Sequence, residues 1–197
     1  AHMLRAMEAA VQQFVHRPER CTEASAALLE RASFALLEYL DIVMGGAHES
    51  AVGLFPHYRD AQVLAGADRI HPADLWPVEW RWIRPEVDLG EVTAQAADGS
   101  ARGHMDQAVL RLMQKGDATA GAELRDLSLA MAKLNAQGTE NVFWILSAGF
   151  FDAVANGTLP VDLYVKRGAS QVLMQFAASQ RGERHVSDRT AKELLFF

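Results

Sequence analysis

Between Leu54 and Trp76 the chain reads LFPHYRDAQVLAGADRIHPADLW, which places two histidines, three aspartates, two arginines and three aromatics within 23 residues. Imidazoles and carboxylates at this density are the raw material of a metal centre or of a general acid–base pair. Their spacing argues against both. A helix-borne zinc site sets histidines or carboxylates at i and i+4, or in tight threes. Here His48 and His57 are separated by a glycine and a proline, and His71 stands directly before Pro72. His57 therefore reads as a helix-surface residue, His71 as a loop cap, and Asp68 and Asp74 as turn caps. The chain has no GxSxG elbow and no glycine-rich phosphate loop. Its single cysteine, Cys21, rules out a cysteine-based zinc site and fits a reducing compartment. No catalytic, cofactor-binding or metal-binding residue is assigned, and no cofactor is expected.

Phosphotransfer is the one chemistry that needs little more than a helix face. A phosphorylatable histidine on a four-helix bundle is followed, three residues on, by a lysine or arginine and then by a small residue. His16 runs into Pro18, while His48, His57, His104 and His185 are followed three residues later by Ala51, Asp60, Gln107 and Asp188. Only His2 has the pattern, with Arg5 and Ala6 after it. His2 lies in Ala1-His2-Met3, which reads as a cloning remnant and is set aside.

The elements that would carry any such chemistry are helices almost throughout. Val142, Ile145, Leu146, Gly149, Phe150, Ala153 and Val154 recur at threes and fours, with Thr139 and Asn141 as caps and Asn156-Gly157 as the stop. A helix from Val161 to Ser179 carries Val165, Val172, Leu173 and Phe176 on one face, with Pro160 in its first turn and Lys166, Arg167 and Gln175 opposite. Met105, Ala108, Val109, Leu112 and Met113 predict another, stopping at Lys115-Gly116. Leu124, Leu127, Met131 and Leu134 predict a fourth, ending near Gly138. Short turns between the four imply an antiparallel bundle.

Upstream, a helix over Leu4 to Val15 breaks at Arg17-Pro18. A longer one follows, capped by Thr22, with Leu29, Leu36, Leu40 and Val43 as its core stripe and Gly45-Gly46 at its end. Residues from Ser50 to Leu64 predict a further helix with a kink or restart at Pro56. An irregular connector rich in tryptophan and proline comes next, in which Trp76, Trp80 and Trp82 alternate with the period of an extended segment. The expected class is thus all-α, with two helical halves at 4–89 and 101–197 and a small, polar linker at 90–100.

Half of the residues are apolar and the formal net charge is −6, so the chain can bury a core and carries no field that favours nucleic acid. No apolar run is long enough to insert in a membrane; the richest, Val142 to Ala155, is interrupted by Asp152. The closing LLFF stops inside an apolar helical pattern, so the chain is expected to be a fragment of a longer protein.

The runs LLEYLDIVMGG and LFPHYRDAQVLAGADRIHPADLW, with FWILSAGFFDAVANGTLPVDLYVKRGASQVLMQFA and AKELLFF downstream, resemble the amino-terminal region of a known family. That family comprises the chemosensory histidine kinases of type IV pilus twitching motility (ChpA/PilL) and the related stand-alone protein FimL. The resemblance covers Leu29 to Phe197. It implies a degenerate, Hpt-like helical region without its phosphotransfer histidine, working as a non-catalytic scaffold in two-component signalling. Implied partners are polar pilus hub proteins of the FimV type, response regulators and other kinase domains, at a cytoplasmic and polar location. Two other functions compete with this one: a histidine phosphotransfer domain, and a helical sensor that holds a small molecule in an enclosed apolar pocket. Trp76, Trp80, Trp82, Lys166 and Arg167 are the partner-binding candidates, against the plainer reading of core tryptophans and solvated charge.

Overall fold

Glycine and proline punctuation divides the chain into eight α-helices among the described residues, in a computed structural model that describes residues 1–90 and 99–197. The protein is all-α, as its apolar periodicity predicts. It forms two units, Ala1–Glu79 and Trp80–Phe197. Of the linker expected at 90–100, residues 91–98 lie outside the described residues, and Gly99 and Ser100 open a helix.

In the first unit α1 (His2–His16) and α2 (Glu23–Met44) both pack on α3 (Phe55–Leu64). Met3, Ala6, Ala32, Leu54, Tyr58, Ala61 and Leu75 form the core. Residues 2 and 3 take part in the fold. The helix starts at His2, and Met3 is buried because it shares a face with Ala6 and Ala10. Thr22 caps α2 reciprocally: its hydroxyl accepts from the Ser25 N–H (3.2 Å) and Ser25 Oγ accepts from the Thr22 N–H (2.8 Å).

The core stripe expected on α2 is rotated. Leu40 and Val43 are exposed, and the buried positions are Ser25 and Ala32, whose small side chains allow close packing. Pro56 produces the restart: a 3-10 turn at Ala51–Leu54 hands over to α3, where proline sits in the first turn and leaves no backbone donor unpaired.

The second unit is a bundle of α4 (Gly99–Lys115), α5 (Ala118–Leu134), α6 (Gly138–Ala155) and α7 (Leu163–Gln180), with α8 (Asp188–Leu195) against α6 and α7. Contacts fix the directions. Gly121 near the start of α5 meets Ala155 at the end of α6, and Asn141 Nδ2 at the start of α6 donates to the Ala132 carbonyl near the end of α5 (2.8 Å). The pair is antiparallel. Phe150 against Gly168 and Glu140 against Ser179 reverse direction again for α7, and α4 packs on α7 to close the ring.

α6 departs from its expected amphipathic form. Phe143, Trp144 and Phe151 are buried along with Val142, Ile145, Phe150 and Val154, so between Glu140 and Ala155 only Gly149 is exposed. A helix that is apolar nearly all round is a central helix. Its caps also differ from expectation. Gln137 occupies the N-cap without a side-chain bond, Thr139 lies inside the first turn, and Asn141 is spent on the bond to α5. Gly138 opens α6 rather than closing α5.

For α7 the cap is Asp162, not Pro160. Asp162 Oδ1 accepts from the backbone N–H groups of Tyr164 (2.8 Å) and Val165 (2.9 Å), satisfying two donors that proline could only have spared. Asp162→Ala is expected to cost about 1 kcal/mol of stability, measured as a lowered denaturant midpoint with the slope unchanged.

Candidate partner-binding surfaces

The histidines and acids of the opening stretch go mostly to structure. His71 is buried, and its Nδ1 accepts from the Ala73 N–H (3.1 Å) while its own N–H donates to Asp74 Oδ2 (3.1 Å). The two residues cap the 3-10 turn Pro72–Leu75, the role expected of His71. The Tyr58 hydroxyl accepts from Gln62 Nε2 (2.7 Å) and lies 3.4 Å from Asp74 Oδ2, tying α3 to that turn. His57 borders a small depression of about 210 Å³ with Glu38 and Glu49. Among the described residues no group of three histidines, cysteines or acids comes together to hold a metal ion.

What the first unit does present is an apolar groove. α1, α2 and the 72–77 segment enclose about 460 Å³ lined by Leu4, Leu36, Leu37, Leu40, Leu75 and Trp76, among others, with Asp74 at its polar edge. Trp76 is half-buried in its wall. Local patterning had no means of marking this groove, because its walls come from four separate stretches of chain, Ala51 and Leu54 supplying the fourth. The signal available was an excess of leucines on α2, more than one core stripe uses.

Trp80 and Trp82 belong to the other unit. Their rings meet edge to face with centroids 5.1 Å apart. Trp82 packs on the bundle core, and its indole Nε1 donates to Asp188 Oδ1 (2.6 Å) at the start of α8. The three tryptophans therefore divide: Trp76 lines a groove, while Trp82, with Trp80 against its ring, anchors an extended strap to the bundle. Further along the strap Leu89 packs on the same core and Lys133 Nζ donates to the Gly90 carbonyl (2.5 Å).

Beside the strap, α5 and α6 border a second groove of about 360 Å³, with Leu129, Ile145 and Val87 on its walls. Arg125 spans its edge, bonded to Asp152 Oδ1 (3.1 Å) and paired with Asp126 (2.9 Å). Those hydrogen bonds, the one to Asp152 foremost, hold the guanidinium above its ordinary value.

On α7 Lys166 is half-buried and Arg167 exposed, and the same helix buries Val165, Gly168 and Ala169. Among the described residues the buried acids of the bundle, Glu140 and Glu193, are satisfied. Glu140 accepts from Ser179 Oγ (2.5 Å), and Glu193 accepts from Gln171 Nε2 (2.6 Å) and Arg189 Nε (2.8 Å). No described helix is long and apolar enough to cross a membrane.

Residues 90–197 match the family model of the FimL scaffold protein second domain. The chain belongs to that family. The FimL match takes in all of α4 to α8, and residues 1–89, with the groove at Trp76, lie outside it. No curated protein and no solved structure matches the chain. Membership of a FimL scaffold domain family assigns a scaffold role and protein partners, the coarse form of what the resemblance implies.

Proposed function

We propose that the chain is a non-catalytic scaffold of a chemosensory two-component system that controls type IV pili and twitching motility, kin to the ChpA/PilL kinases. It holds signalling proteins in place in the cytoplasm, at the cell pole: response regulators, a polar hub protein of the FimV type, or other kinase domains. The observation that carries this reading is the pairing of a FimL-family bundle with an open, leucine-lined groove beside Trp76. Partner sites are concave and apolar, and a tryptophan on the wall is the usual anchor.

Titration calorimetry of the chain against a purified hub protein and receiver domains from the same genome tests it. Saturable binding is expected, weakened about tenfold or more by Trp76→Ala. Absence of binding to any of them would sink the reading.

The competing reading, phosphotransfer, would need an unconventional histidine without a basic residue three places on. His104 stands exposed on α4, an outer helix of the four-helix bundle. On the scaffold reading, incubation with a phosphorylated receiver or an active kinase leaves no acid-labile phosphate on the chain. Label that appears in the parent and vanishes in His104→Gln would establish phosphotransfer in its place.

A further inference from the structure

α2 leaves an apolar face uncovered. Phe34 (64 % exposed), Leu37 (57 %) and Met44 (83 %) lie within one stripe at helical spacing, and Leu40 joins them at its edge. Leu37 and Leu40 also line the groove beside Trp76, so stripe and groove are one surface. Scattered surface leucines need no explanation, but a continuous stripe that runs into a groove does.

The charges beside the stripe are mostly acidic. Glu30, Glu38 and Asp41 are exposed, and none forms an ion pair among the described residues. Arg31 is the only basic residue of α2. Residues 1–79 hold eleven acidic side chains against six arginines and no lysine, a formal −5 out of the −6 of the whole chain.

From this geometry we infer that the α2 face is a docking site for a basic amphipathic helix of a partner protein. Its apolar residues at i, i+3/i+4 and i+7 seat between Leu37, Leu40 and the Trp76 wall, and its lysines or arginines meet Glu30, Glu38 and Asp41. Phe34 to Met44 spans about 15 Å at 1.5 Å per residue, which matches about three turns of such a helix. A second copy of this chain would bring the same carboxylates against themselves, and an anionic lipid surface would be repelled by them. The inference rests on the scaffold reading only for its expectation that a protein docks here.

The test is a fluorescence-anisotropy titration of the whole chain with a labelled 18-residue peptide of leucine and lysine, its leucines at helical spacing, beside a scrambled peptide of equal composition. Tighter binding of the patterned peptide, by about tenfold or more, is expected. Leu37→Ser with Phe34→Ser should weaken it about tenfold, and Glu38→Gln with Asp41→Asn severalfold at low salt. All four positions are exposed, so the far-UV spectrum should not change. Equal binding of the two peptides, no binding, or indifference to Leu37→Ser overturns the inference. Self-association of the chain that Leu37→Ser abolishes also overturns it, by assigning the face to a second copy. If the hub protein or a receiver binds and the patterned peptide does not, the inference falls while the scaffold reading stands. If the peptide alone binds, the reverse holds.

Discussion

Trp144→Ala is expected to destabilise the second unit by about 3–5 kcal/mol, the range for deleting a large aromatic from a packed core. Trp144 is fully buried, and its ring meets Phe143 (centroids 5.1 Å, 71°) and Phe176 (6.2 Å, 80°) edge to face. The cavity would open where α6 packs on α5 and α8 and meets α7 through Phe176, so collapse from one side cannot fill it. Trp144→Phe should behave quite differently. The indole Nε1 finds no acceptor among the described residues, so removing it gives up no hydrogen bond and relieves a buried polar group that costs about 1–3 kcal/mol. Urea unfolding of the two variants checks the contrast. Equal losses for alanine and phenylalanine would mean that the indole nitrogen is hydrogen-bonded in solution.

The second large effect is expected where α5 and α6 come closest. A Cβ on Gly121 would stand 3.1 Å from the Ala155 nitrogen, 3.2 Å from its Cα and 3.3 Å from the Phe151 carbonyl oxygen. All three are backbone atoms, which cannot rotate away. Gly121→Leu must push the helices apart, and overpacking of this kind costs about 1–3 kcal/mol. Gly149, on α6 itself, is the control: it is exposed, and a Cβ there meets nothing within 4 Å. Gly149→Ala is expected to stabilise the bundle by about 0.5–1 kcal/mol, since it removes the backbone freedom of a mid-helix glycine. Thermal melts of the two variants should move in opposite directions. A Gly121→Leu variant that melts with the parent would show that the α5–α6 contact is looser than these distances state.

Much of the architecture was legible because helix ends are local chemistry. Thr22 with Ser25, Gly45-Gly46 after α2, Lys115-Gly116 after α4 and Asn156-Gly157 after α6 each specify a boundary within a few residues of chain. His71 before Pro72 was readable as a cap for the same reason. Which side of a helix turns inward is not local. α2 carries leucines on two adjacent sides, Leu29 and Leu36 on one and Leu37 and Leu40 on the other, and only the approach of α3 decides between them. Spacing alone placed Leu29 and Leu36 inward, where they pack on the core, but carried the stripe on to Leu40 and Val43, which are exposed.

For α6 the same limit worked the other way. Helical periodicity marks one apolar face and leaves out Phe143, Trp144 and Phe151, because it assumes a polar side that a central helix does not need. Asp162 was missed beside Pro160 because two acceptable helix starts lay two residues apart, and only the hydrogen bonds to Tyr164 and Val165 distinguish them. Of the candidate surface, the sequence offered the tryptophans as a set. Their division between a groove and a strap depends on residues far away in the chain, Leu4 for Trp76 and Asp188 for Trp82.

The enclosure of α6 has a consequence for exchange with solvent. A helix wrapped by its neighbours cannot peel away alone, so the amide protons from Val142 to Phe151 should exchange with deuterium only when the whole bundle opens. α8, eight residues long and packed at the end of the order, has the fewest such constraints and should exchange first. The deuterium uptake of one α6 peptide then reports the global opening free energy of the bundle under native conditions, with no denaturant added.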